Sequence, residues 1–536
     1  MPSPAGRPAA LRPREVPGRT LADVCARLGL PAPVQPGETA PAQILVTGVT
    51  HDSRAVQPGD LYAALPGSRA HGADFAADVV ALGAVAVLTD PAGQQRAAAC
   101  GLPVLVVEDP RHRLGALAAW VYGEPAADLL LVGTTGTNGK TTTSYLLEAC
   151  LAAAGRRTGL IGTVETRIGE ERVASVRTTP ESTDLQALLA VMRERGADAV
   201  AMEVSSHALV LGRVDGLVFD VALFTNLSQD HLDFHGTLEN YFQAKASLFT
   251  PGRSRVGVVD VDDAYGARLA REASVPVVTV SPSGEADAHW RVVERAVEAE
   301  GARTRFTLAH RDGRRIDAVA PLPGDFNVAN TALAVVACAV ADVDVEAAVR
   351  GLEDFAGVPG RLERVGDRAD GPLALVDYAH TPDAVDTVLR TLRPVVAGRL
   401  AVVLGAGGDR DRDKRPGMGA AAARWADLVI VTDDNPRSED PATVRAAVLA
   451  GAREQAARSG ARVLDIADRR EAVRTAVRGL GPGDAVVVAG KGHEQGQDVG
   501  GVVHPFDDRT VLRAALDESA AGHGGPAADP APEVAR

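Results

Sequence analysis

The stretch Leu129-Leu-Leu-Val-Gly-Thr-Thr-Gly-Thr-Asn-Gly-Lys-Thr-Thr-Thr143 joins an apolar run to a Gly/Thr loop, followed by a segment with Leu146, Leu147, Cys150 and Leu151 on one helical face. This reads as a buried strand, a phosphate-binding loop and a helix. Such a junction aims backbone N–H groups and the positive end of the helix at an anion. Lys140 is placed to reach the outer phosphates of ATP and Thr141 to hold Mg²⁺, while Gly136, Thr137, Asn138, Gly139 and Thr142 complete the loop. Thr134 stands where such loops usually begin with glycine, and Gly136 supplies the freedom of the turn instead.

Outward from this junction, short Val/Leu/Ile runs alternate with Ala-rich stretches of helical spacing, as at 83–90, 102–107 and 399–404. That alternation predicts an α/β protein with parallel sheets. The 536 residues exceed one ordinary core and call for about three domains. Turn signals at Glu124-Pro125 and Gly357-Val-Pro-Gly360 divide the chain. A flexible N-terminus is expected over 1–19, an N-terminal α/β domain over 20–127, a central P-loop ATPase-like parallel-sheet domain over 128–358 and a C-terminal Rossmann-like domain over 359–517. A disordered tail is expected over 518–536, because both ends are rich in Pro, Ala and Gly or Arg.

A net charge of −14 argues against nucleic acid as a partner, because phosphate backbones need a basic face. Cys25, Cys100, Cys150 and Cys338 are scattered without pairing, as buried thiols are. No run approaches the roughly 18 apolar residues of a membrane span, and the N-terminus lacks a signal peptide's apolar region. Cytoplasmic residence is expected. Only four lysines, Lys140, Lys245, Lys414 and Lys491, stand among 56 basic residues, and each lies inside a motif. Lysine differs from arginine in being able to lose its proton and act as a nucleophile.

Seven motifs follow in order: Thr134 to Thr141, Glu203-Val-Ser-Ser-His207, Thr225 to Asp233, Gly324 to Asn330, Gly360-Arg361, Asp377-Tyr-Ala-His380 and Gly490-Lys-Gly-His-Glu494. Together they resemble the Mur ligases of peptidoglycan synthesis, from about Val46 to Asp508. Asp434-Asn-Pro-Arg437 resembles the branch that adds meso-diaminopimelate. The resemblance implies an ATP-dependent amide ligase that phosphorylates the D-glutamate carboxylate of UDP-N-acetylmuramoyl-L-alanyl-D-glutamate and joins the acyl phosphate to meso-diaminopimelate. A folylpolyglutamate-synthase-like ligase shares the phosphate loop but should lack a uridine-binding first domain. A P-loop motor should answer to a macromolecule.

Residue roles follow from that resemblance. Lys140, Glu203, Lys245 and Arg361 would be catalytic. Thr141, Glu203 and His231 would ligate Mg²⁺, joined by Lys245 as a CO₂-derived carbamate; helical pattern alone makes Lys245 a surface residue. Asn327 and Asn330 would contact adenine, and Asp377 and His380 the ribose and phosphates. Ser53, Ser68, Arg69 and Ala70 resemble a uridine-diphosphate site, and Thr178, Thr179, Ser205 and Arg213 would hold the muramoyl peptide. Leu211 stands where some relatives carry Gln. Arg410, Asp434, Asn435, Pro436, Arg437, Gly490 and Glu494 would take diaminopimelate, Arg437 through its distal carboxylate and Asp434, Asn435 and Glu494 as acceptors for an ammonium. His207 and His235 read as structural. A monomer is expected.

Overall fold

A computed structural model describes residues 11–32, 43–67, 69–173, 177–298, 303–366 and 371–522. Ser68 and the outer parts of the two termini lie outside the described residues. Three units follow one another along the chain, each an α/β layer structure around its own sheet.

The first sheet has four parallel strands in sequential order, Gly48–Thr50, Asp60–Ala64, Ala86–Thr89 and Val104–Val106. Helices cover it, among them Leu21–Leu28 and Pro110–Val121, which bury Leu21, Val24, Leu114 and Leu117. Order begins earlier than the expected flexible stretch allows. Arg12 donates to Asp60 at 3.2 Å and to the Tyr122 hydroxyl at 3.0 Å. Those partners lie 48 and 110 residues away, and terminal composition does not register them.

The second sheet has eleven strands. Its seven central strands, Thr158–Ile161, Ala199–Glu203, Leu130–Thr135, Phe219–Phe224, Ser254–Asp260, Val277–Ser281 and Trp290–Val297, are all parallel. Both flanks are antiparallel: Thr166–Ile168 with Glu171–Val173 at one end, Thr304–His310 with Arg315–Ala320 at the other. The expectation of a parallel sheet therefore holds for the middle only. Linkers such as 162–165 are too short to carry the chain back for a parallel pairing, so those strands fold straight back. Helices Lys140–Ala153 and Asp325–Val340 pack together over one face, burying Leu146, Leu147, Leu333 and Val336.

The third sheet runs Glu363–Arg364, Leu373–Asp377, Ala485–Ala489, Leu400–Leu404, Leu428–Val431, Arg462–Asp465, parallel except for its first strand. A separate hairpin pairs Gly496–Val499 with Val502–Pro505. The last helix, Asp508–Gly522, crosses the expected boundary at 517 and buries Val511, Leu512 and Ala515 against the sheet. Among the described residues no helix is long and apolar enough to cross a membrane.

Candidate active site

Parallel α/β sheets place their loops, and the positive ends of the following helices, at the carboxyl ends of the strands. Here two sheets turn those ends towards each other across a cleft of about 910 Å³. The middle sheet contributes the loop after Leu130–Thr135, Glu203 at the end of Ala199–Glu203, and Thr225 to His231 after Phe219–Phe224. The third sheet contributes Asp377 to His380, Gly407 to Arg410, Asp434 to Arg437 and Gly490 to Glu494, each following a parallel strand.

The phosphate loop is tied from behind. Thr137 N donates to Asn226 O at 2.9 Å, Asn138 N to Asn226 Oδ1 at 3.0 Å, and Thr225 Oγ1 to Asn138 O at 2.6 Å. Gly136 sits at φ 150°, and a Cβ there would stand 1.9 Å from Thr225 Oγ1, so only glycine fits between the loop and its support. Lys140 opens the helix and donates to Gly136 O at 3.0 Å and Thr137 O at 2.8 Å. Burial lowers its pKa, against the pull of Glu203 and Asp230.

Thr141 Oγ1 donates to Glu203 Oε2 at 3.0 Å, and Thr163 donates to the same carboxylate through its N at 2.7 Å and its hydroxyl at 3.0 Å. Hydroxyl and carboxylate are the hard oxygen donors magnesium takes. Among the described residues no three His, Cys, Asp or Glu side chains converge as a metal cage. His231 stands nearby in a left-handed backbone at φ 54°, its pKa lowered to about 3 by burial despite Asp230. It is neutral at pH 7, the form that ligates metal.

Lys245 is 1% exposed and donates to Gly136 O at 2.7 Å, so the reading of helical pattern, an exposed position, is corrected by the phosphate loop lying on top of it. Burial, reinforced by Lys140, pushes its ammonium far below the ordinary lysine range. His235 is buried and bonds Ser206 Oγ at 2.9 Å, while His207 stacks on Phe234.

From the third unit, Arg361 Nη2 reaches Thr141 Oγ1 at 3.2 Å, with its guanidinium over the Tyr378 ring. Asp377 spends its oxygens on the backbone N–H groups of Leu362 and Ala379. His380 hydrogen-bonds Tyr378 O through Nδ1 and faces Asp230 at 4.0 Å. Asn330 Nδ2 donates to Asn327 Oδ1, and Asn327 Nδ2 to Pro323 O, so the two amides hold each other beside the loop. Sequence reasoning left Lys414 without a role. It crosses from the third unit to Asp230 at 3.5 Å, a pairing that spans 184 positions and no motif announces.

Thr178, Ser205 and Arg213 line the cleft, Arg213 held by Glu181 at 2.8 Å, while Thr179 lies buried beneath and accepts from Ser205 N. Ser53, Arg69 and Ala70 sit on loops of the first unit, outside the cleft lining. In the acceptor region Arg437 takes φ 51° and donates to Gly408 O at 2.6 Å, and Asn435 Nδ2 donates to Glu494 Oε2 at 2.8 Å. Pro436 is buried under the turn. One expectation is corrected: Asn435 Oδ1 already accepts from Lys491 Nζ at 2.7 Å and Asp498 N at 3.0 Å. Its oxygen is committed to the protein, so Asn435 offers the cleft an N–H and not an acceptor.

The chain matches three family models: the Mur ligase family catalytic domain over residues 45–122, the Mur ligase middle domain over 134–338, and the Mur ligase glutamate ligase domain over 360–492. It is 59% identical over 512 residues to the UDP-N-acetylmuramoyl-L-alanyl-D-glutamate--2,6-diaminopimelate ligase of Streptomyces coelicolor, covering 96% of this chain and 99% of that protein. To the UDP-N-acetylmuramyl-tripeptide synthetase of Leifsonia xyli subsp. xyli it is 48% identical over 517 residues, covering 96% and 98%. A solved UDP-N-acetylmuramoyl-L-alanyl-D-glutamate--2,6-diaminopimelate ligase superposes with a TM-score of 0.65 at 34% identity, covering 95% of this chain and 100% of that one. Folylpolyglutamate synthase of Mycobacterium tuberculosis shares the fold at 20% identity and a TM-score of 0.55, over 76% of this chain and 95% of that one. Sheets turned end to end across a tied phosphate loop, with relatives matching almost from end to end, make this chain a member of the Mur ligase family.

Proposed function

We propose that the chain joins meso-diaminopimelate to the D-glutamate carboxylate of UDP-N-acetylmuramoyl-L-alanyl-D-glutamate, converting ATP to ADP and phosphate. The observation that carries this reading is the acceptor loop Asp434 to Arg437, with Gly490 and Glu494, facing the phosphate loop across one cleft.

Lys140 and the N–H groups of 139–142 hold the β- and γ-phosphates, and Arg361, delivered from the third unit, neutralises charge that grows on the γ-phosphoryl group. Asn327 and Asn330 flank adenine, and Asp377 and His380 support the ribose side. Magnesium, held through Thr141, Glu203 and His231, would offset phosphate charge. Lys245 joins that set as a carbamate: its neutral amine bonds the carbon of CO₂ and a proton leaves, turning a neutral group into an anion beside the phosphates. Thr178, Thr179, Ser205 and Arg213 orient the muramoyl peptide, and Ser53, Arg69, Ala70 and Ser68 hold its uridine diphosphate.

A carboxylate oxygen attacks the γ-phosphorus and the bond to ADP breaks. The acceptor's amine, having shed a proton, then attacks the acyl carbon and phosphate leaves. Arg410 and Arg437 meet the acceptor's carboxylates, and Asp434 and Glu494 its distal ammonium. The reading places the enzyme in the cytoplasm, with both small substrates, and as a monomer.

A phosphate-release assay offering diaminopimelate, lysine or glutamate with the UDP-muramoyl dipeptide tests it. Release should depend on diaminopimelate and stay near background with the others. Arg437→Ala should reduce kcat/KM for diaminopimelate by on the order of 10²-fold, the cost of unpairing a buried carboxylate, with the KM for ATP nearly unchanged. Equal losses on both refute the assignment.

A further inference from the structure

Behind the acceptor loop lie two buried cations, Lys491 and Arg469, that no step above uses. Lys491 is fully buried, and its ammonium donates to Asn435 Oδ1 and to Gly496 O, each at 2.7 Å. It stands 3.8 Å from both Asp434 Oδ1 and Glu494 Oε2. Arg469, also fully buried, holds Asp508 through Nε at 2.8 Å and Nη2 at 2.7 Å, and donates to Ala489 O. Its remaining Nη1 points at Asp434 Oδ2 from 3.7 Å, and neither atom has a hydrogen-bond partner among the described residues.

We propose that Lys491, backed by Arg469, is a positioning residue for the acceptor amino acid: it claims the oxygen of the Asn435 amide and balances the carboxylates of Asp434 and Glu494. The proposal rests on the acceptor reading given above. An ammonium can only donate, so it dictates which end of the amide faces it. Asn435 must then present Nδ2 to Glu494 and the cleft. Two buried cations stand against the three carboxylates of Asp434, Glu494 and Asp508, leaving one net negative charge. That surplus suits an incoming ammonium, while Arg437 and Arg410 at the rim suit carboxylates.

Glu494 is the group whose protonation reports the cluster. Burial, and then Asp434, raise its pKa, while Lys491, the Asn435 N–H and Arg437 lower it. In Lys491→Met the carboxyl should titrate higher, so the acid limb of kcat/KM for diaminopimelate should move to higher pH. The KM for diaminopimelate at neutral pH should rise about tenfold or more, as when a hydrogen bond to a charged group is lost, and the KM for ATP should stay within about twofold. Equal rises in both, or an unmoved acid limb, overturn the proposal. Should Lys491→Met fail to fold, Asn435→Asp decides instead. Its Oδ2 would face Glu494 where Nδ2 now lies at 2.8 Å, so diaminopimelate binding should weaken at neutral pH and recover as pH falls and one of the pair protonates. No recovery overturns the proposal. A wild-type enzyme whose phosphate release did not saturate with diaminopimelate would sink the acceptor reading itself. Wild-type saturation alongside an unaffected Lys491→Met sinks only the role of Lys491.

Discussion

Lys140 and Lys245 both donate to the carbonyl of Gly136, at 3.0 and 2.7 Å, and two ammonium groups so close resist being charged together. Lys245 yields, since burial and the charge of Lys140 both depress it. A neutral buried amine is the form that takes up CO₂, which gives the proposed carbamate a physical basis within this chain. We expect Lys245→Ala to slow turnover by on the order of 10²- to 10³-fold, the scale of losing one electrostatic group at a reacting centre, and bicarbonate to restore nothing. Initial rates of phosphate release measure both, and a normal rate removes the carbamate from the mechanism. Residue identity was legible here and environment was not. The partner of Lys245 lies 109 positions away, which helical periodicity does not register. Asn435 makes the same point, because an amide looks like an acceptor until Lys491 and Asp498 are seen on its oxygen.

Strand, loop and helix at 129–153 were legible together because all three signals are local: an apolar run, glycines where the chain must turn, and helical spacing of Leu146, Leu147, Cys150 and Leu151. The antiparallel flanks of the middle sheet were not. Their strands have ordinary composition, and only the shortness of the linkers, as at 162–165, reveals the reversal. Within the phosphate loop the fit is tight at Gly136, whose absent Cβ leaves room for Thr225. Gly136→Ala should weaken ATP binding at least about tenfold, in line with about 1–3 kcal/mol of backbone strain at such a dihedral. Nucleotide titration reads the affinity, and thermal unfolding checks that the rest of the fold survives. Unchanged affinity would mean that the loop adjusts freely and is not held by its support.

Across the whole molecule, side-chain ties among the described residues span the cleft, including Asn138 to Asp383 at 3.1 Å, Arg361 to Thr141 at 3.2 Å, Lys414 to Asp230 at 3.5 Å and His380 to Asp230 at 4.0 Å. Lys414 is nearly enclosed, and Asp230 keeps His231 and His380 when it is removed. Lys414→Met should therefore raise the KM for ATP about tenfold, equivalent to about 1.4 kcal/mol, with little change in Tm; steady-state kinetics and a melting curve separate the two. A falling Tm with an unchanged KM would assign the pair to stability alone. The three helices Lys140–Ala153, Pro382–Leu392 and Lys414–Trp425 all begin at this cleft. Their amino ends carry like partial charges, which repel across an empty gap and converge on a polyanion placed between them. A triphosphate bound there would serve as mortar as well as fuel: the reagent that activates the carboxylate would also be gripped from both walls of the cleft.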